Sequence, residues 1–84
     1  MARNQVYRLN QLKTRKAKVI LAAIRRECGG EASVTTKIIK SRINNEIHSY
    51  YRIRTMEEVP EQNFEQCRRL IEKYRFRYLG REYG

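Results

Sequence analysis

Arg8, Arg15, Lys18 and Arg25 recur at steps of seven, three and seven residues, which places four cations along one side of a helix. Side chains so arranged can follow a phosphate backbone, and each phosphate they neutralise releases counterions. Lys13 and Arg26 extend the set, and residues 1–28 as a whole carry eight bases against the single acid Glu27, a net +7. Residues 29–59 contribute +1 and residues 60–84 contribute +2, so the overall charge of +10 is concentrated at one end of the chain. A field of one sign attracts polyanions and speeds encounter with them, which makes nucleic acid the first partner to consider. A second constellation is Lys73-Tyr74-Arg75-Phe76-Arg77-Tyr78, where bases alternate with aromatics. Aromatic faces stack on unpaired bases while neighbouring cations hold phosphates, so Arg75, Phe76 and Arg77 form a secondary candidate site. The competing use of Tyr74 and Tyr78 is to finish an apolar helix stripe, with the arginines solvated.

Catalytic chemistry has little to work with. There is no Asp, and the one histidine, His48, lacks a positioned partner for acid–base work. Glu57, Glu58 and Glu61 form the only acidic cluster and lie where a helix begins, a position that favours carboxylates for electrostatic reasons alone. Cys28, His48 and Cys67 lack the close paired spacings of a zinc site, and no glycine-rich phosphate cradle is present. The expectation is a protein with no catalytic residue, no metal and no cofactor. Two cysteines thirty-nine residues apart do not make a disulfide scaffold, so both thiols read as small buried apolar groups in a reduced compartment. No apolar run approaches the roughly 20 residues of a membrane span, and the first residues lack a signal peptide's apolar core. A cytoplasmic protein with no membrane partner is expected.

The elements that must position these residues follow from periodicity. Eighty-four residues, 40% hydrophobic and 33% charged, suit one small folded domain. Gly29-Gly30 and the single Pro60 divide it into three helix-sized pieces. The first runs from about Leu9 to Cys28, with Leu9, Leu12, Ile20, Ala23 and Ile24 on one side and Val19 beside them. Lys16 falls within that apolar arc and would snorkel outward. Gly29 supplies a left-handed stop, and residues 1–8 read as a flexible basic arm from which Arg3 could reach a groove. The second piece starts with Ser33 or Thr35 as N-cap and carries Val34, Ile38, Ile39, Ile43 and Ile47. Thr55-Met56-Glu57-Glu58 fits a capping box able to form one helical turn. Pro60 suits the first position of a third helix bearing Phe64, Cys67, Ile71, Tyr74 and Tyr78. Residues 79–84 read as a frayed tail. The fold class is all-α, a compact three-helix domain with a short irregular segment before the third helix. Its expected core is Leu12, Ile20, Ile24, Ile39, Ile43, Ile47, Phe64, Cys67 and Ile71.

The Cys28–Val34 connection could serve as the turn of a helix-turn-helix. Ser33–Ile47 would then be a recognition helix offering Thr36, Lys37, Lys40, Arg42 and Asn44 to a major groove. A more specific pattern begins at Ile43-Asn44-Asn45-Glu46-Ile47. It continues through Tyr50-Tyr51-Arg52-Ile53 and Thr55-Met56-Glu57-Glu58-Val59-Pro60 to Phe64, Cys67 and Leu70-Ile71. This resembles the C-terminal (ORF6C-like) domain of phage antirepressor proteins over roughly residues 10–74, most distinctively over Thr55–Ile71. The motif is architectural: Val59-Pro60 launches a helix, Phe64 anchors it, and Cys67 is small enough to let two helices approach. The resemblance implies a phage or prophage setting in a bacterial host, an interaction role rather than a reaction, and by analogy a homodimer. In that family the domain follows a separate DNA-binding domain, whereas here a short basic lead precedes it.

The leading expectation is a small phage-like DNA-binding or regulatory protein that contacts the nucleic-acid backbone, DNA before RNA, through Arg8, Arg15, Lys18 and Arg25, with Lys13 and Arg26 secondary. The alternative is a non-catalytic effector that docks its basic face on an acidic host protein surface, inhibiting or recruiting a nuclease, recombinase or transcription protein.

Overall fold

A computed structural model describes all 84 residues. Helix α1 spans Arg3–Glu27, α2 spans Thr36–Tyr51 and α3 spans Phe64–Glu72. Two 3-10 turns, Met56–Glu58 and Glu61–Asn63, precede α3, and a hairpin of β1 (Phe76–Tyr78) and β2 (Arg81–Tyr83) ends the chain. The domain is a compact three-helix arrangement with this small hairpin added.

α1 begins six residues before the expected start, so residues 1–8 are not a free arm. The apolar stripe extends backwards through Val6, which packs on the core with Met1. The Ala2 N–H is accepted by the Gln5 side chain at 3.2 Å, and the Met1 ammonium donates to the Glu57 carbonyl at 2.7 Å. At 1.5 Å per residue α1 is about 37 Å long, which sets the longest dimension of the molecule, 41 Å. Its end is the expected one. Gly29 and Gly30 have φ of 68° and 92°, and the Gly30 N–H returns to the Arg25 carbonyl at 2.7 Å. This satisfies a carbonyl that the ending helix would otherwise leave open.

Of the two candidate caps for α2, Thr35 is used: its hydroxyl accepts from the Ile38 N–H at 3.2 Å. Ile39, Ile43 and Ile47 are buried at helical spacing, while Ile38 points outward. α2 ends through Arg52 at φ 53°, with the Ile53 N–H on the His48 carbonyl at 3.0 Å. Glycine usually occupies this left-handed position. The capping box forms as expected, with the Glu58 carboxylate accepting from the Arg54 and Thr55 N–H groups at 2.7 and 2.8 Å. Pro60 leads the second 3-10 turn rather than α3 itself, so the α-helical part begins four residues later, at Phe64.

The end of the chain differs most from expectation. α3 stops at Glu72, and residues 79–84 are not frayed. Phe76, Arg77 and Tyr78 pair with Tyr83, Glu82 and Arg81 in an antiparallel ladder. Leu79 and Gly80, with φ of 50° and 78°, make a two-residue turn of the left-handed kind that suits the twist of hairpins. Phe76 and Tyr83 face each other across the ladder, and both are buried.

One core joins all these elements. Seven of the nine expected core residues are buried: Ile20, Ile24, Ile39, Ile43, Ile47, Cys67 and Ile71. Leu12 and Phe64 are half-buried, because they meet at the edge where α1 passes the start of α3. Leu9, Ala17, Leu21, Val34, Met56 and Val59 complete the interior. Val19, expected beside the apolar face, is 59% exposed.

Candidate nucleic-acid interface

The outer face of α1 carries Arg8, Arg15, Lys18, Arg25 and Arg26, all exposed to solvent. From Arg8 to Arg26 the ridge spans about 27 Å at the α-helical rise. None of these cations takes part in an ion pair. The four ion pairs of the molecule are Arg68 with Glu65 and Glu72, Arg75 with Glu82, and Arg81 with Glu27. Arg8 has a second contact, its guanidinium lying 5.1 Å from the centre of the Phe64 ring. Glu27 is the only acid in the first 28 residues, and it is engaged elsewhere. Its carboxylate accepts from the Tyr83 hydroxyl and from the Arg81 guanidinium, the latter at 2.7 Å. The Tyr83 hydrogen bond, and then the charge of Arg81, hold the Glu27 carboxyl below the usual carboxylate range. The C-terminal hairpin thus engages Glu27, whose charge also reaches Arg26, while Glu65 at the start of α3 lies near enough to Arg8 to feel its charge.

Lys13 does not belong to this face. It lies four residues from Leu9 and from Ala17, on the side of α1 that packs inward, and is 1% exposed. It cannot reach a phosphate at the outer surface. Burial lowers its pKa to about 8, helped by the nearby Lys40, with Cys67 and Glu57 opposing. Lys16, expected to snorkel, is half-buried and donates to the Glu72 carbonyl at 2.7 Å, a cation at the C-terminal end of α3.

The secondary set is divided by the pleat of β1. Phe76 is buried, so its ring is not available for stacking. Tyr78 packs against the core and holds Ser33, accepting from its N–H at 3.3 Å. Arg77 stays exposed, and Arg75 faces Glu82 at 3.9 Å. Among the five candidate groove-reading residues of α2, only Lys37 and Arg42 are exposed, whereas Thr36, Lys40 and Asn44 are half-buried.

A shallow, open cleft of about 400 Å³ runs along the N-terminal half of α1 beside α2, lined by Tyr7, Asn10, Gln11, Thr14 and Arg15 of α1 and by Lys40 of α2. Sequence reasoning found only Arg15 and Lys40 of these. The steps of Tyr7, Gln11 and Thr14, four and three residues, were a legible sign of a polar stripe. The Gln11 amide donates to the Tyr7 hydroxyl at 3.2 Å, and the Thr14 hydroxyl donates to the Asn10 carbonyl at 3.1 Å. No carboxylate lines the cleft.

His48 is half-buried at the end of α2, and both cysteines are free thiols, with burial pushing the Cys67 thiol up. No three His, Cys or Glu side chains converge as a metal centre requires. No helix is long and apolar enough to cross a membrane.

Fold and surface together define a small helical domain with a cationic ridge along α1 that includes the exposed Val19. Comparison with protein-family models, curated proteins and solved structures gives no match.

Proposed function

We propose that this chain is a small DNA-binding or regulatory protein that holds the nucleic-acid backbone against the outer face of α1. The carrying observation is that Arg8, Arg15, Lys18, Arg25 and Arg26 are exposed and free of ion pairs, while Glu27 is held by the hairpin. Cations that only solvate a surface tend to be interspersed with acids, as they are on α3.

A salt titration of binding to duplex DNA tests the reading. Five phosphate contacts give a slope of log K against log salt of about −4.5. Replacing Arg15, Lys18 and Arg25 with Glu should abolish binding while leaving the helical circular-dichroism spectrum intact. A flat salt response, or full binding by the triple variant, would sink the proposal.

The alternative, docking on an acidic host protein, is favoured by one feature: Val19 is exposed within the cationic face and offers an apolar contact that phosphates do not need. A stoichiometric protein partner captured from nuclease-treated bacterial lysate would support it, provided that duplex binding is absent.

A further inference from the structure

Resting on the nucleic-acid reading, we propose that the α1/α2 cleft seats an unpaired nucleotide, so that the preferred partner is single-stranded rather than duplex nucleic acid. Tyr7 is 64% exposed, so it presents an aromatic ring to solvent beside the cations, and its hydroxyl accepts from the exposed Gln11 amide. Arg15 and Lys40 stand on the two helices that wall the same cleft, where they can take a phosphate between them. Asn10 and Gln11 offer amide donors and acceptors to a base edge. An aromatic face, a pair of cations and side-chain amides together match the three parts of a nucleotide. A phosphate alone would have no use for the ring.

The local charge also calls for an anion. Lys13 lies on the core side of α1 close enough to Lys40 to feel its charge, and neither lysine takes part in an ion pair. Glu57 and Cys67 on the core side partly offset this repulsion at Lys13, whereas the cleft itself carries no carboxylate to compensate Lys40 and Arg15. The partner follows from stacking geometry. A base inside a duplex has both faces covered by its neighbours, so only an unpaired base can lie on Tyr7. The aromatic face and phosphate are common to DNA and RNA, and the site takes either strand.

The test compares binding of single-stranded DNA, single-stranded RNA and duplex DNA, each of about ten nucleotides per strand, a length within the usual range for single-strand binding sites. Tyr7→Ala should weaken both single strands about tenfold or more, the loss of one stacked base, and leave duplex binding unchanged. Tyr7→Phe should retain single-strand binding. Because Tyr7 is exposed, the variants keep the wild-type circular-dichroism spectrum. Lys40→Gln should likewise weaken single strands more than duplex. Equal losses on single strand and duplex, or no loss in Tyr7→Ala, would overturn the nucleotide site while leaving the backbone-binding reading standing. If the wild-type protein binds none of the three, both fall.

Discussion

Lys13 lies one helical turn from Leu9 and one from Ala17, so the periodicity that buries those two also buries its stem. Drawing an ammonium largely out of water with no ion-pair partner disfavours its charged form and costs stability. Six fully buried isoleucines, worth about 1.5–3 kcal/mol each, can offset that. The folded-state pKa of about 8 lies below the ordinary 10.5. Below pH 8 both folded and unfolded chains hold the proton, and the penalty is present in full. As pH rises above 8 the folded chain sheds the proton while the unfolded chain keeps it, so this residue's contribution to stability rises with pH. The groups around it are Lys40 on α2, Cys67 on α3 and Glu57 in the first 3-10 turn. Lys13→Met should therefore stabilise the domain at pH 7 by about 1–3 kcal/mol, and its advantage over wild type should shrink between pH 8 and 9. Urea denaturation of both proteins across that range measures the difference directly. An advantage that stays constant would show that Lys13 is not the titrating group.

At the scale of elements, the hairpin is the addition that three-helix periodicity does not contain. β2 is fastened to the C-terminal end of α1 by Tyr83 and Arg81, which converge on Glu27. Hydrogen bonds to the ionised carboxylate depress its pKa. The stabilisation is thus present above the ordinary carboxylate pKa and is lost as pH falls through the lower folded value. Amide hydrogen exchange over Phe76–Tyr83 should speed up in acid relative to exchange in α2. Glu27→Gln should show the faster hairpin exchange already at neutral pH. If the variant's hairpin is as protected as wild type, burial of Phe76 and Tyr83 suffices and the carboxylate is dispensable.

As a whole, the molecule is an elongated body of 41 × 21 × 17 Å with a net charge of +10. Its long edge is several times the Debye length of about 8 Å at physiological salt. Screening at that salt leaves the ridge acting on a polyanion at close range, whereas low salt lets the whole field act at a distance. The association rate with DNA should therefore fall steeply as salt rises, and stopped-flow mixing at several salt concentrations reads this. An association rate indifferent to salt would mean that the summed field does not steer the encounter.

How much of this was legible differs by element. The three helices show in the 3.6-residue recurrence of Leu9, Ile20 and Ile24, of Ile39, Ile43 and Ile47, and of Cys67 and Ile71. Local chemistry at Gly29, Thr35 and the Thr55–Glu58 box marks boundaries because those signals act within a few residues. The hairpin was harder. Its strands are three residues each, too short for a period to stand out, and Leu79 is not the residue a left-handed turn usually selects. The alternation from Tyr74 to Tyr78 was a strand period, although the same alternation also suggests a stacking motif.

By itself, then, the sequence determined a basic first third, three amphipathic helices and the absence of most catalytic constellations. Charge and helical period are properties of a chain read one segment at a time. Only the tertiary structure decided which cations meet solvent. Arg15 and Lys18 face out because no element covers their side of α1, and Lys13 is enclosed because α2, α3 and the first 3-10 turn converge on its side. The hairpin's capture of Glu27 and the cleft shared by Tyr7 and Lys40 arise the same way, from residues more than thirty positions apart brought together by packing. Helical periodicity sorts side chains by face; where the neighbouring elements pack decides which face remains free to bind.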